Sequence, residues 1–179
     1  MDLAGAQRDV RAVYAGGFFG QLVSGALWLF AAGLGTWVSP TAAIVALLLG
    51  GTLIFPLTTL SLWVARRPVA LPRGHPMAAL ATQVAFTVPP GLLVALAATG
   101  YRQDWFFPAA MMIVGAHYLP FVFLYGMRLY SVLATVMIAG GLALPLWAPN
   151  AFSTGGWVTG GLLVAFAFAL GTAARATDR

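Results

Sequence analysis

Side chains able to do chemistry are scarce in this sequence. All nine basic residues are Arg and all four acids are Asp, and Lys, Glu and Cys are absent. Without Lys there is no Schiff-base chemistry. Without Cys there are no disulfides, thiolate metal sites or thiol nucleophiles. Only His75 and His117 offer imidazole, and no H-E-x-x-H metal motif can be written. We assign no catalytic residue and no metal ligand. Among the polar groups inside the long apolar runs are Gln21, Thr58, Thr59, Gln83, His117 and Tyr118. Such groups can hydrogen-bond a solute, or one another. A single His117 could ligate haem axially, and His117 with Tyr118 is the one adjacent pair suited to proton transfer.

Prolines sharpen this set. Pro120 has no N–H for the carbonyl of Ala116, one residue from the imidazole. Pro89-Pro90-Gly91 frees the carbonyls of Ala85 and Phe86 in the same way. Two helices broken at similar depth resemble the discontinuous helices that form sites in transporters. The alternative is structural: Gln21, Gln83, Thr87 and His117 re-satisfy the freed carbonyls across helices. A neutral imidazole avoids the cost of a buried charge, and no acid lies within the apolar runs to pair with a cation.

The elements that must position these residues follow from composition. The 179 residues are 61% hydrophobic and 7% charged, with a mean hydropathy of +0.91. A soluble domain carries about 25% charge, so a water-soluble globule is excluded, and disorder with it. What remains is an all-α, polytopic integral membrane protein with a single domain, 1–179. The net charge of +5 comes from Arg residues that flank apolar runs rather than forming a stripe, which argues against nucleic acid as a partner.

Charges divide the chain into four uncharged intervals of 54, 28, 23 and 46 residues. One spanning helix needs about 20 residues, so these hold two, one, one and two helices. Ser39-Pro40 breaks the first interval and the turn-rich stretch 147–156 the last. The expected helices are 14–38, 41–64, 77–99, 106–125, 129–146 and 157–174, a six-helix bundle. The run before Pro40 is longer than a signal-peptide core, so helix one is read as retained. The thirteen residues ahead of it are expected along the inner surface.

Cytoplasmic segments are enriched in Arg. An N-in, C-in arrangement places Arg8, Arg11, Arg66, Arg67, Arg73, Arg128, Arg175 and Arg179 inside and Arg102 alone outside. Trp37/Pro40, Trp105/Pro108 and Trp147/Pro149 mark the outer turns, since Trp favours the headgroup level. Tyr14, Trp63, Tyr125 and Tyr130 are expected as the inner belt. At 1.5 Å per residue, Gln21 and Gln83 lie about 10 Å from the inner ends of their helices, and His117 and Tyr118 about 12–15 Å. A polar cavity on the inner side, lined by Gln21, Gln83, His117 and Tyr118, is the expectation.

Packing in lipid relies on small residues. Gly16, Gly20 and Ser24 form one face of helix one, and Gly156 and Gly160 one face of helix six, with Gly50-Gly51 and Gly140-Gly141 on helices two and five. These serve internal packing or a homo-oligomer. Helices 4–6 show no convincing inverted repeat of helices 1–3.

The blocks His75–Phe86 and Trp105-Phe-Phe-Pro-Ala…Gly115-Ala-His-Tyr-Leu-Pro-Phe121 resemble parts of a small bacterial membrane-protein family with no assigned activity. The resemblance implies no cofactor or reaction. It points to Gln83, His117, Tyr118 and Pro120. Arg-only usage with abundant Ala, Gly and Leu suits a high-GC bacterium, so the expected location is the bacterial inner membrane as a multi-pass protein in the lipid bilayer. The leading function is a transporter- or channel-like protein for a small solute or ion. A non-catalytic subunit or assembly factor comes second and an intramembrane enzyme third, with a haem- or lipid-binding role falling between these classes.

Overall fold

Asp2 opens the first helix by accepting a 2.6 Å hydrogen bond from the backbone N–H of Gly5, the usual way an N-cap satisfies an orphan donor. The computed structural model describes residues 2–148 and 151–177, in which all regular structure is helical. Pro149 and Arg179, both topology markers above, lie outside the described residues. The stretch expected along the inner surface is itself a helix, α1 (Leu3–Tyr14). It ends where Ala15, Gly16 and Gly17 take φ of 51°, 64° and 88° in succession. Two glycines make that left-handed run cheap, and α2 (Phe18–Trp37) then begins four residues later than the expected 14–38.

Prolines break three further spans. The expected 41–64 is α3 (Pro40–Gly51) and α4 (Ile54–Val64), bent by 57°. Pro56 lies in the first turn of α4 and cannot donate to Thr52. The N–H groups of Thr52 and Leu53 instead bond three residues back, to Leu49 and Gly50. Ser39 caps α3 by accepting from Ala42 at 3.1 Å, with Pro40 in the first turn. The third span is α5 (Ala78–Ala85) and α6 (Val88–Ala98), parted at Phe86–Thr87 just before Pro89-Pro90. The fourth is α7 (Phe106–His117) and α8 (Leu119–Tyr125), parted at Tyr118 before Pro120. The chain closes with α9 (Leu129–Trp147) and α10 (Thr154–Thr177). Five helical stretches are long and apolar enough to cross a membrane, and six if the bent α3–α4 pair is one span.

Glycines set the closest approaches. A Cβ on Gly160 of α10 would fall 2.9 Å from the backbone nitrogen of Leu29, and one on Gly25 of α2 3.1 Å from the Gly160 carbonyl. Gly115 of α7 abuts Met137 and Ile138, and Gly141 of α9 abuts Pro108 and Met112. Thus α2, α7, α9 and α10 make the core, where Phe106, Phe107, Met111, Leu133, Met137 and Leu163 are fully buried. Helices α3 and α6 pack outside it. A Cβ on Gly51 or Gly161 would meet nothing within 4 Å.

Side-chain contacts collect the basic residues at one end. The Arg67 guanidinium donates to the Ala12 carbonyl, Asp9 sits 3.4 Å from His75, and Gly16 packs on Ala174. At the other end the Trp37 and Trp157 rings lie 5.7 Å apart and the Trp157 indole donates to Thr36. There Arg102 makes a two-pronged ion pair with Asp104, at 3.1 and 2.8 Å. His75 accepts from the Met77 N–H at 3.2 Å and so shapes the start of α5.

Candidate functional site

Helix α1 packs against the C-terminal end of α8 at the basic end. Ala6 and Val10 on one of its faces are buried, and the same face carries Gln7 and Arg11. Gln7 donates to the Phe123 carbonyl at 2.6 Å, and the Arg11 guanidinium to the Tyr125 carbonyl at 2.7 Å. Those carbonyls close the C-terminal turn of α8, which lacks intrahelical donors and attracts cations. Gly126 (φ 63°) continues the cap, and a Cβ there would fall 2.5 Å from the Gln7 amide oxygen. With Arg67 holding Ala12 and His75 beside Asp9, α1 is tied at both ends of its buried face.

Beneath α1 sits a cluster of aromatic rings. Tyr130 of α9 is fully buried, and its ring lies 5.1 Å from Tyr125, 5.3 Å from Phe121 and 6.0 Å from Tyr118. Its hydroxyl donates to the Gly16 carbonyl at 2.9 Å, a group released by the left-handed turn between α1 and α2. A Cβ on Gly17 would overlap that hydroxyl at 2.0 Å. Tyr125 and Tyr130, expected as an inner interfacial belt, are therefore interior residues; Trp63, by contrast, is 69% exposed. The kink supplies a buried acceptor, and a buried hydroxyl needs one.

Gln21, one turn beyond Gly17, points into this cluster. It is 2% exposed and near enough to Tyr130 to act on its hydroxyl. Yet neither amide atom of Gln21 meets hydrogen-bond geometry with a described residue. Thr58 on α4, which approaches the adjacent Gly20, also has a buried hydroxyl without a hydrogen-bond partner among the described residues. Leaving such atoms unpaired costs about 1–3 kcal/mol each.

The four expected cavity residues are not brought into one cavity. Tyr118 and Gln21 border the ring cluster, Tyr118 at 5% exposure. His117 is half-buried on its edge, 4.9 Å from the Phe121 ring. Its Nδ1 lies 3.1 Å from the Thr87 hydroxyl, which itself donates to the Val84 carbonyl at 2.7 Å. His117 thus bridges the break between α5 and α6, beside Pro89 and Pro90. Gln83 is exposed on α5 and joins none of these groups. Among the described residues no group of three His or Asp could hold a metal ion.

Sequence reasoning missed Gln7 and read Arg11, Tyr125 and Tyr130 as markers of the inner surface. The signal was present for α1: Ala6, Gln7, Val10 and Arg11 recur at helical spacing, and a Gly pair follows the last turn. A family model described as a family of unknown function (DUF7010) matches residues 3–173. No curated protein and no solved structure matches the chain.

Proposed function

The chain belongs to the DUF7010 family, whose function is unknown, and from that premise we propose a multi-pass membrane protein with a closed, transporter- or channel-like path for a small solute. The unit has six spans, counting α3–α4 as one, with both termini on the basic side. The positive-inside rule makes that side cytoplasmic, and the Arg-rich, Lys-free composition suits the bacterial inner membrane. The path lies between α2, α8 and α9, and α1 closes its inner mouth.

One observation carries this reading: the Gln21 amide is buried beside the Tyr130 hydroxyl without a hydrogen bond of good geometry among the described residues, and the helix α1 next to it is fastened by polar bonds. A sealed polar pair of atoms has no packing value, whereas a solute or water entering when α1 lifts would satisfy both. His117 works here as a positioning residue, holding the broken third span against the fourth.

The absence of Cys makes the test direct, because any introduced thiol is the sole one. Gln21→Cys in inside-out vesicles should react slowly with an impermeant maleimide, and faster when α1 is loosened. Asp2→Cys and Thr177→Cys should react from the cytoplasmic face and Arg102→Cys from the opposite one. Tails on opposite faces would overturn the topology. A Gln21→Cys thiol that stays inert in every α1 variant would overturn the path.

A second reading, a non-catalytic subunit, is favoured by Gly51 and Gly161, whose open faces would let another helix approach closely. Gly161→Leu should then displace a co-purifying partner while leaving this chain folded.

A further inference from the structure

Two grooves adjoin on the outer side of α4, and they differ in chemistry. The first, of about 470 Å³, is lined by Trp63, Val64, Arg66 and Arg67 at the basic end. The second, of about 520 Å³, runs up the helix past Leu60, Thr59, Pro56 and Phe55, with Val69 folded back against it. Trp63 belongs to both. The result is one amphiphilic trough, cationic at the membrane surface and apolar along the span. We propose that it binds an anionic glycerophospholipid, with the phosphate on Arg66 and Arg67 and an acyl chain along Phe55, Leu60 and Trp63. This rests on the membrane reading above, and it assigns a ligand to a surface which that reading does not use.

The backbone supports a binding role for Arg66. Helix α4 ends in a Schellman turn: the Arg67 N–H bonds the Leu62 carbonyl at 2.9 Å and the Arg66 N–H the Trp63 carbonyl at 2.9 Å. That places Arg66 at the left-handed position, φ 54°, where glycine is the usual residue. A strained Arg held there is a pointer to function. Its exposed guanidinium has no partner among the described residues. Arg67 lines the same groove and adds a second cation to it, one of its terminal nitrogens being held by the Ala12 carbonyl. A phosphodiester seated there would pair with the exposed Arg66 guanidinium and lie beside the charge of Arg67. The bend at Thr52–Leu53 and the exposed rings of Phe55 and Trp63, 77% and 69% exposed, leave the apolar arm open to a chain from the side. Basic pockets at the cytoplasmic surface bind anionic headgroups in this manner.

Brominated lipids test the proposal, because bromine on an acyl chain quenches a neighbouring indole. The full chain is reconstituted into vesicles of phosphatidylcholine doped with brominated phosphatidylglycerol or brominated phosphatidylcholine, and the Trp63 signal is taken as the difference from Trp63→Phe. The anionic lipid should quench this signal preferentially, and Arg66→Gln should reduce the preference about fivefold. Arg66→Gly is the folding-safe variant: it suits the left-handed backbone, so the protein should fold as before and still lose the preference. Equal quenching by both lipids in well-incorporated protein overturns the site and leaves the membrane reading standing. Failure to incorporate at all overturns the membrane reading instead. Reversal of the quenching by inorganic phosphate at millimolar concentration and constant ionic strength, with no such reversal by chloride, would assign the trough to free phosphate and overturn the lipid as its ligand.

Discussion

The Tyr130 hydroxyl donates to the Gly16 carbonyl at 2.9 Å, joining the start of α9 to the turn between α1 and α2 across 114 positions of sequence. Both groups are buried, so the bond has no water to replace it. Through it, the orientation of the N-terminal helix is coupled to the ring cluster that α1 covers.

Tyr130→Phe should therefore destabilise the fold by about 1–3 kcal/mol, the cost of an orphaned buried acceptor, with little change in packing. Unfolding of the purified protein in graded denaturing detergent measures it. Gly17→Ala should cost more, since it adds a clash at 2.0 Å to a backbone with φ 88°. Combining it with Tyr130→Phe should return part of that loss, because the clashing oxygen is gone. Strict additivity of the two would mean that the kink and the hydroxyl are independent.

His117 and Thr87 meet at 3.1 Å across two broken spans. A double-mutant cycle of His117→Ala and Thr87→Val should give a coupling of about 0.6 kcal/mol, the average for interhelical polar pairs in a membrane protein. His117→Ala should also loosen the α5–α6 break, seen as faster labelling of Phe86→Cys. If His117 touched solute directly, His117→Ala would abolish flux while Thr87→Val preserved it. The bridge instead predicts parallel losses from both.

Composition and charge placement made the helical spans and the basic end legible, because each Arg sits where an apolar run stops. Pro89, Pro90 and Pro120 likewise signalled the breaks beside His117. Pro56 carried the same signal for the 57° bend, but a 54-residue uncharged interval invites reading one straight helix on each side of Ser39. Depth along a helix did not disclose azimuth: Gln21 and Gln83 fall at similar heights, yet one is buried and the other exposed. Tyr125 and Tyr130 look interfacial by position in the chain. Only the folded N-terminal segment, α1 as cover and the Gly16 carbonyl of the turn after it, turns them inward.

Adjacent glycines on α10 should behave oppositely. Gly160→Leu drives a side chain into Leu29 on α2, backbone included, at 2.7–2.9 Å, so it should lower the yield of folded protein sharply; overpacking of this kind costs typically 1–3 kcal/mol or more. Gly161→Leu enters open space and should leave stability within about 0.5 kcal/mol. Size-exclusion profiles and detergent unfolding of the two variants separate intramolecular packing from association. Loss of a co-eluting partner from Gly161→Leu at unchanged stability would place a partner helix on that face, whereas equal loss of stability from both would mean that the Gly161 face is packed within the fold.

Arg11 is the strongest tie on α1, being a buried cation on the last carbonyl of α8. Charge-assisted hydrogen bonds of this type contribute about 1.5–3 kcal/mol, so Arg11→Ala should raise the population of the open lid about tenfold or more. In a Gln21→Cys background, where reaction requires opening, the labelling rate follows that population and should rise by the same factor. Gln7→Ala, which removes one neutral donor, should act in the same direction more weakly. Arg11→Lys should fall between them, since an ammonium keeps the charge but not the planar fork. Were α1 merely a surface anchor, the three variants would change membrane insertion or yield while leaving the Gln21→Cys rate untouched; a graded series in the order Ala, Lys, wild type is the signature of a lid.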